Sequence, residues 1–309
     1  THFLQCPQHS EEIKAFGSYP WIIDPDRPYK LICPVGGEAY PTNDFDHHHH
    51  GGPDDVSSEP YVDTGWGWRD PNHPQKYWFV AYYAHWLYHA HLRPAAVALG
   101  QAYVLTGDPR YATQGAALLD RIAEEYPDMD HVRQSRYGTE IQVGTYQGRI
   151  LNCIWETGMA RDLAVAYDYL YTGMDGNRAL EEATGKSIPQ IRRNIEVNLL
   201  ESAAQSIYTM DGRIRGNFGM HHSALAALAI VLDNERTDRY LDFVLHATGL
   251  GFYAYEGIIM GLSNLVYRDG APNESSPGYN SGWIGQFNAV AELLLRRGIN
   301  LYEQEPKLR

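Results

Sequence analysis

Two histidines and an asparagine stand at the entrance to an apolar segment in the middle of the chain. Residues 212–222 read Gly-Arg-Ile-Arg-Gly-Asn-Phe-Gly-Met-His-His, and residues 223–232 are almost wholly apolar and rich in Ala and Leu. The apolar run predicts a helix that is buried on most sides. Asn217 and His221 are four residues apart, so a helical turn would place them on one face. Side chains that can donate, accept or exchange a proton are thus predicted at the N-terminal end of a rigid buried helix, which would hold reactive groups in place.

Two further polar segments have the composition of active-site loops. Residues 136–149 contain arginine, tyrosine, glutamate and glutamine and lead into a predicted helix. Residues 268–283 have no helical or strand pattern and are longer than a connection requires. Within them Tyr279 follows a Pro-Gly pair. Its ring is therefore expected at the turn into the last helix.

Asparagine, histidine and tyrosine without an evident nucleophile favour proton abstraction beside a carboxylate. No nucleophile elbow and no phosphate-cradling Gly-rich motif is recognisable. In a uronic acid residue the C5 hydrogen lies next to the carboxylate, and amide and imidazole donors stabilise the anion that develops there. A tyrosine or histidine can remove the proton and pass one to the departing glycosidic oxygen. The expected reaction is β-elimination, which leaves an unsaturated uronate.

Two other functions remain open from the residues alone. A toroidal glycoside hydrolase acting on uronides would use a pair of carboxylic acids. Asp269 with Glu274, or Glu140 with Glu156, would be such a pair. A non-catalytic sugar-binding or scaffold domain would need neither of these carboxylate pairs, and it would not depend on Tyr279.

Composition restricts the partners. The formal net charge of −13 argues against a nucleic-acid or anionic-membrane binder, and no apolar run is long enough to span a membrane. The 23 tyrosines and 7 tryptophans are many for 309 residues and suit stacking against sugar rings. A polyanionic substrate would need a locally basic cleft, for which Arg133 and Arg136 are further candidates. The residues expected to bind sugar, carboxylate or sulfate are Trp66, Trp68, Gln147, Arg149, Arg213 and Arg215.

Metal ligands are few. The three cysteines exclude a dense disulfide framework. Cys6, His9 and Cys33 offer three zinc ligands, but their spacing fits no strong zinc pattern, so no metal is predicted. The run His47–His50 is predicted to be a solvated loop, with adventitious metal binding as the alternative.

The elements that would position these groups are mainly helical. Residues 1–75 are Pro/Gly-rich and are predicted to form an irregular segment wrapped on the core, whereas residues 76–309 are predicted to form a helical domain. Paired helices with Gly, Asp and Pro in their loops indicate an all-α fold, an (α/α) toroid of antiparallel hairpins. No convincing alternating strand pattern appears, apart from short pieces such as residues 261–268. The predicted helices are 78–105, 111–126, 150–171, 188–208, the segment after His221, 239–259 and 284–297.

Three motifs together resemble a known family. Residues 216–222 (Gly-Asn-Phe-Gly-Met-His-His), the loop 269–279 and residues 105–112 (Leu-Thr-Gly-Asp-Pro-Arg-Tyr-Ala) resemble the heparinase II/III-like polysaccharide lyases and the related toroid alginate lyases. The resemblance runs from about Trp66 to Arg297. Each motif alone is modest, but their order and combination are fairly specific to this family.

The resemblance implies a cleft in an (α/α) toroid and cleavage of a glycosaminoglycan or alginate-type polysaccharide by β-elimination. It implies that Asn217 neutralises the carboxylate and that Tyr279 is catalytic. The catalytic histidine would be His221 or His222, with His221 ranked first by its spacing from Asn217. Glu274 resembles an acidic residue that supports the loop.

The resemblance also implies parts that this chain does not contain. Family members continue into a C-terminal β-sandwich region that closes the cleft, supplies a further His or Tyr and often carries a structural metal. This chain ends at Arg309, soon after its last predicted helix. The expected partners are an anionic uronate polysaccharide and a β-rich closing domain or chain, in a secreted or periplasmic protein. The chemistry itself requires no cofactor.

Overall fold

The fold is mainly helical. In a computed structural model, 62% of the described residues are helical and 5% lie in strands, which confirms the predicted all-α character. No helix in the described part of the chain has both the length and the apolar character needed to cross a bilayer. The chain forms two compact units, residues 1–92 with 130–145 and residues 93–129 with 146–309. The structure describes residues 4–51, 60–69, 76–131, 147–251, 253–274 and 276–308.

The first unit combines short strands with short helices. Three strands form an antiparallel sheet in the order β1-β2-β3, in which Leu31 pairs with Tyr40. Two more strands, β4 and β5, pair antiparallel. Its elements are a 3₁₀ helix at Glu11–Phe16, β1 (Ile22–Ile23), β2 (Leu31–Ile32), β3 (Ala39–Tyr40), α1 (Phe45–His49), β4 (Trp68–Arg69), β5 (Lys76–Tyr77), α2 (Phe79–Leu87) and a π-helical turn at Tyr88–Leu92.

Aromatic rings from the Pro-rich segment form the core of the first unit. Trp21 is buried, and its indole Nε1–H donates to the Leu4 carbonyl at 2.9 Å. Tyr40 stacks on Phe79 of α2 with ring centroids 5.1 Å apart. The irregular sequence therefore forms a packed core, because its scattered aromatic residues supply the buried area that regular elements would otherwise provide.

The second unit is built from helices. A π-helical segment at Ile195–Glu201 joins α7 to α8, so that one continuous helical stretch runs through both. The helices are α3 (Arg93–Thr106), α4 (Pro109–Glu125), α5 (Cys153–Leu170), α6 (Arg178–Thr184), α7 (Ile188–Asn194), α8 (Ser202–Tyr208), α9 (Met220–Leu232), α10 (Thr237–His246), α11 (Ile258–Asn264), α12 (Pro277–Leu295) and α13 (Leu301–Gln304), with 3₁₀ turns at Tyr126–Asp128, Tyr171–Met174, Tyr253–Tyr255 and Pro306–Leu308.

Local signals set the boundary between α3 and α4. Gly107 adopts a positive φ of 69°, which glycine reaches without strain. Asp108 caps α4, because its carboxylate accepts a hydrogen bond from the Arg110 amide at 2.9 Å. Pro109 occupies the first turn, where no amide hydrogen is needed. The break predicted between the helices 78–105 and 111–126 is confirmed, with the second helix starting two residues earlier, at Pro109.

Helix α9 lies at the centre of the second unit. Every residue from His221 to Ala229 is buried, and the helix packs against α5, α10 and α12. Alanines at many of these positions allow the neighbouring helices to approach closely. The prediction of a helix buried on most sides is confirmed.

Three local predictions are wrong. The last long helix begins at Pro277, seven residues before the predicted start at Ile284. Residues 261–268 do not form a strand; α11 covers the first of them, and one isolated bridge pairs Val266 with Pro272. The histidine run is not a loop either, because Asp44 caps the short helix α1 by accepting from the His47 amide at 3.1 Å.

Candidate functional site

The turn before α9 packs between two other helices of the second unit, α5 and α12. The Arg215 amide donates to the Cys153 carbonyl of α5 at 3.0 Å, and the Met220 amide donates to the Asn217 carbonyl at 3.0 Å. Gly219 has a φ of 90°, and a Cβ there would lie 2.7 Å from Cβ of Gln286 in α12. The turn therefore fits closely between α5 and α12, and a side chain at Gly219 would disturb that fit.

Phe218 connects this turn to α12. Its buried ring lies 5.0 Å from the ring of Trp283 and 5.4 Å from that of Phe287, measured between centroids. Tyr279 stands four residues before Trp283 on the same helix, so the two side chains share one face. The structure thus brings together two of the three polar segments that the sequence singled out.

The two predicted reacting groups at this junction differ in exposure. Tyr279 is 53% exposed and lies in the first turn of α12, not in a loop. Asn217 is half-buried. Both side chains are accessible, one at the start of a helix and the other in the turn that packs beside it.

The two histidines are sealed inside the unit. His221 and His222 are fully buried, with ring centroids 4.3 Å apart. His222 Nε2 hydrogen-bonds the Glu256 carbonyl at 2.9 Å. Within the described part of the chain, neither His222 Nδ1 nor either ring nitrogen of His221 forms a hydrogen bond.

Burial keeps both rings neutral. It lowers the pKa of His222 to about 4, and the backbone hydrogen bond at Glu256 offsets this only in part. The pKa of His221 is well below its ordinary value, because of burial first and the neighbouring His222 second. Backbone groups of Ala254 and Gly216 act in the opposite direction. A neutral imidazole can donate through one nitrogen and accept through the other.

Tyr255 is a site residue that the sequence analysis missed. Its ring lies 5.1 Å from that of His221, and it is 8% exposed. Burial raises its pKa, and the positive charge of Arg215 acts in the opposite direction. Glu256 fixes the surrounding loop, since its carboxylate accepts from the Gly249 and Leu250 amides at 2.9 and 3.0 Å. The glycines that interrupt the predicted helix 239–259 were the available signal for this loop.

Arg149 is engaged by the protein itself. Its Nη1 donates to the carbonyls of Tyr126 and Pro127 at 3.1 and 3.0 Å, and its Nη2 donates to Ser202 Oγ at 3.0 Å. The residue is 8% exposed. These contacts fix the end of α4 against α8 and leave little of the guanidinium for a substrate.

Glu156 is also part of the interior. It is fully buried, and its carboxylate accepts from Tyr126 Oη at 3.0 Å and from the Ile150 and Leu151 amides at 3.1 and 2.7 Å. Burial raises its pKa to about 7 against the effect of these hydrogen bonds. Its predicted partner Glu140 lies outside the described residues.

The remaining candidates are distributed over both units. Arg213 is exposed, and Gln147, Arg215 and Glu274 are half-buried. Asp269 is exposed and accepts from the Ala271 amide at 3.1 Å, so it caps its own turn. Arg133 and Arg136 lie outside the described residues.

Trp66 and Trp68 belong to the first unit. The buried Asp63 orders their turn, because its Oδ1 accepts from the Gly65 and Gly67 amides at 2.8 Å each. Trp66 is exposed, whereas Trp68 is half-buried in β4.

Candidate metal ligands gather elsewhere. Within the described ranges, the group of His, Cys, Asp and Glu side chains with converging ligand atoms is Cys6, His9, Cys33 and Glu38, in the first unit. The predicted reacting groups of the second unit are not among them.

No protein-family model matches the sequence, and no curated protein matches it significantly.

Proposed function

We propose that this protein is a polysaccharide lyase that cleaves a uronate-containing polysaccharide, of glycosaminoglycan or alginate type, by β-elimination. The observation that carries the proposal is the contact of Phe218 with Trp283. It holds the turn that contains Asn217 against α12 at Trp283, which stands one helical turn after Tyr279. An amide and a phenol that the sequence places far apart are thereby presented on one region of the second unit.

The exposed groups take the reacting roles in this proposal. Asn217 donates to the carboxylate of the uronate and stabilises the negative charge that builds up there. Tyr279, as phenolate, removes the C5 proton; the C4–O bond breaks as the C4–C5 double bond forms, and the phenol returns the proton to the departing oxygen. One residue can serve both steps, because the first step needs the phenolate as a base and leaves the phenol that the second step needs as an acid.

The buried histidines take a supporting role. Neither His221 nor His222 is exposed, so we assign proton transfer to Tyr279 and not to either imidazole. Phe218, which follows Asn217, lies 5.1 Å from the ring of His222. The two neutral rings pack on each other, and Tyr255 packs on His221, so the pair supports the turn that carries Asn217. Arg215, from the same turn, supplies positive charge for an anionic sugar.

We infer that the helices of the second unit belong to an (α/α) toroid. Helices that follow one another pack together, α3 with α4 and α9 with α10, as the hairpins of such a ring do. The pairs α3 with α5 and α5 with α9 also pack, which links successive hairpins. Loops at one end of this arrangement would border the cleft.

The carboxylates offer less support for a hydrolase. Glu156 is sealed and satisfied by three donors, and Asp269 caps its own turn. Acid and base in a glycosidase must both reach the scissile bond. Glu156 is not placed to do so.

The experiment is a substrate panel read by the ultraviolet absorbance of unsaturated uronate. Hyaluronan, chondroitin, heparan sulfate and alginate are incubated with the protein and with Tyr279→Phe. We expect absorbance to grow on at least one polymer and to fall by about 100-fold or more in the variant, as loss of an acid–base group predicts.

Tyr267→Phe is the matched control, since Tyr267 is also exposed, near the same loop, and donates to Asn273 at 3.2 Å. It should keep the activity. New reducing ends without absorbance would identify a hydrolase instead. Equal rates for Tyr279→Phe and the unmodified protein, or no cleavage of any polymer, would refute the proposal.

A further inference from the structure

Four side chains that could bind a metal converge in the first unit. Cys6 and Cys33 are buried, and His9 and Glu38 are half-buried beside them. One ligand atom from each residue lies within 4.8 Å of all the others. Both cysteines are free thiols in the structure.

The separations match those between the ligands of a tetrahedral zinc ion. His9 Nδ1 lies 3.6 Å from Cys6 Sγ, 3.6 Å from Cys33 Sγ and 3.5 Å from Glu38 Oε2. Zinc at about 2.3 Å from sulfur and about 2.0–2.1 Å from nitrogen and oxygen places S and N about 3.6 Å apart at tetrahedral angles, and N and O about 3.4 Å apart.

Two tight turns present these ligands. The Ser10 amide donates to the Cys6 carbonyl at 2.8 Å, which folds His9 back towards Cys6. Between β2 and β3, the Cys33 amide donates to the Glu38 carbonyl and the Gly37 amide donates to the Cys33 carbonyl, each at 2.8 Å. This turn reverses the chain and thereby places Glu38 next to Cys33.

Two details at Glu38 point to a cation. Its Oε2 is buried and accepts no hydrogen bond within the described part of the chain. A buried carboxylate oxygen without a donor is unfavourable unless a positive charge faces it. Gly36 permits the approach, because a Cβ there would overlap Glu38 Oε1 and His9 Cε1.

We propose that Cys6, His9, Cys33 and Glu38 bind one structural zinc ion. The two thiols lose their protons and bind as thiolates, with His9 Nδ1 and one oxygen of Glu38 completing the set. Four protein ligands close the coordination sphere, as in structural zinc sites. The ion would tie the N-terminal turn to the β2–β3 hairpin, independently of the lyase chemistry proposed for the second unit.

The test measures metal in the whole purified chain. Protein produced with zinc and desalted without chelator should contain about one zinc per chain, as a closed four-ligand site predicts. Exchange for Co²⁺ should give the thiolate-to-cobalt charge-transfer bands and the visible bands of a tetrahedral site. Cys33→Ser and His9→Ala should each lower the metal content at least tenfold after dialysis.

Two control variants separate this site from other ligands. Cys153→Ser removes a buried cysteine of the second unit and should retain the metal. Replacing His47, His48, His49 and His50 by alanine removes the other histidine cluster and should leave the thiolate bands unchanged, since imidazoles alone do not produce them.

Three results would overturn the proposal. They are a folded, unmodified protein with neither zinc nor a cobalt–thiolate spectrum, a Cys6–Cys33 disulfide in the non-reduced peptide masses, and zinc retained fully by Cys33→Ser. The spectrum of the unmodified chain decides the question even where a ligand variant fails to fold.

Discussion

Phe218 packs on Trp283 with their ring centroids 5.0 Å apart and their planes inclined at 53°. The first residue lies in the turn before α9, and the second lies in the first half of α12. This aromatic contact sets the distance between the segment of Asn217 and the segment of Tyr279. The proposed lyase activity and the stability should therefore both depend on it.

Phe218→Ala should destabilise the protein by about 3–5 kcal/mol, because it removes a buried aromatic ring and leaves a cavity among rings that cannot fully collapse. Urea unfolding measures the change. Phe16→Ala, at an exposed position, is the control and should stay within about 0.5 kcal/mol of the unmodified protein. Similar losses for the two variants would contradict the assigned role of Phe218.

Gly261→Ala tests the same contact from the opposite side. A Cβ on Gly261 of α11 would overlap the ring of Phe218, so the ring must move. We expect a loss of about 1–3 kcal/mol and a lower kcat of the proposed lyase. Gly285→Ala is the control, since a Cβ there meets nothing within 4 Å on α12. That change should stabilise by about 0.5–1 kcal/mol, because alanine favours the helix. If Gly261→Ala were equally stabilising, the close fit described here would be wrong.

Glu156 should make stability fall as pH rises. Its pKa is about 7 in the folded protein, above the ordinary value of 4.5. Between these pH values the folded state holds a proton that the unfolded state has lost, so unfolding becomes easier with rising pH. Across this window the folded protein should lose up to about 3 kcal/mol relative to Glu156→Gln, which cannot titrate.

Urea unfolding of both proteins between pH 4 and 8 gives this difference. Glu182→Gln, at an exposed position, is the control and should follow the unmodified protein across the range. A constant difference between Glu156→Gln and the unmodified protein would show that the carboxyl group does not titrate in this window.

Arg149→Lys should lower stability and leave the proposed lyase activity intact. Lysine cannot donate at once to the carbonyls of Tyr126 and Pro127 and to Ser202, so we expect a loss of about 2–3 kcal/mol. The kcat and KM of the folded fraction should not change. Arg178→Lys, on the surface of α6, should be neutral in both measurements. A raised KM with unaltered stability would instead assign Arg149 to substrate binding.

Signals between neighbours in the chain were enough to predict much of the helical frame. The Asp108 cap, Pro109 and the apolar run of α9 depend on nearby residues, so they can be recognised from the amino-acid order. The start of α12 was missed because Gly278 and Gly282 weaken the helical signal before Ile284. Packing of Trp283 and Phe287 against Phe218 outweighs that weakness.

The sequence alone singled out the polar segments around Asn217 and Tyr279, and it named Cys6, His9 and Cys33 as possible zinc ligands without predicting a metal site. Only the tertiary structure brought Glu38 to these ligands and Tyr255 to His221, because a hairpin reversal and a loop between helices create those contacts. It also decided that the paired histidines are buried. The exposure of a residue depends on which distant elements pack over it, and the spacing of residues along the chain does not reveal that packing.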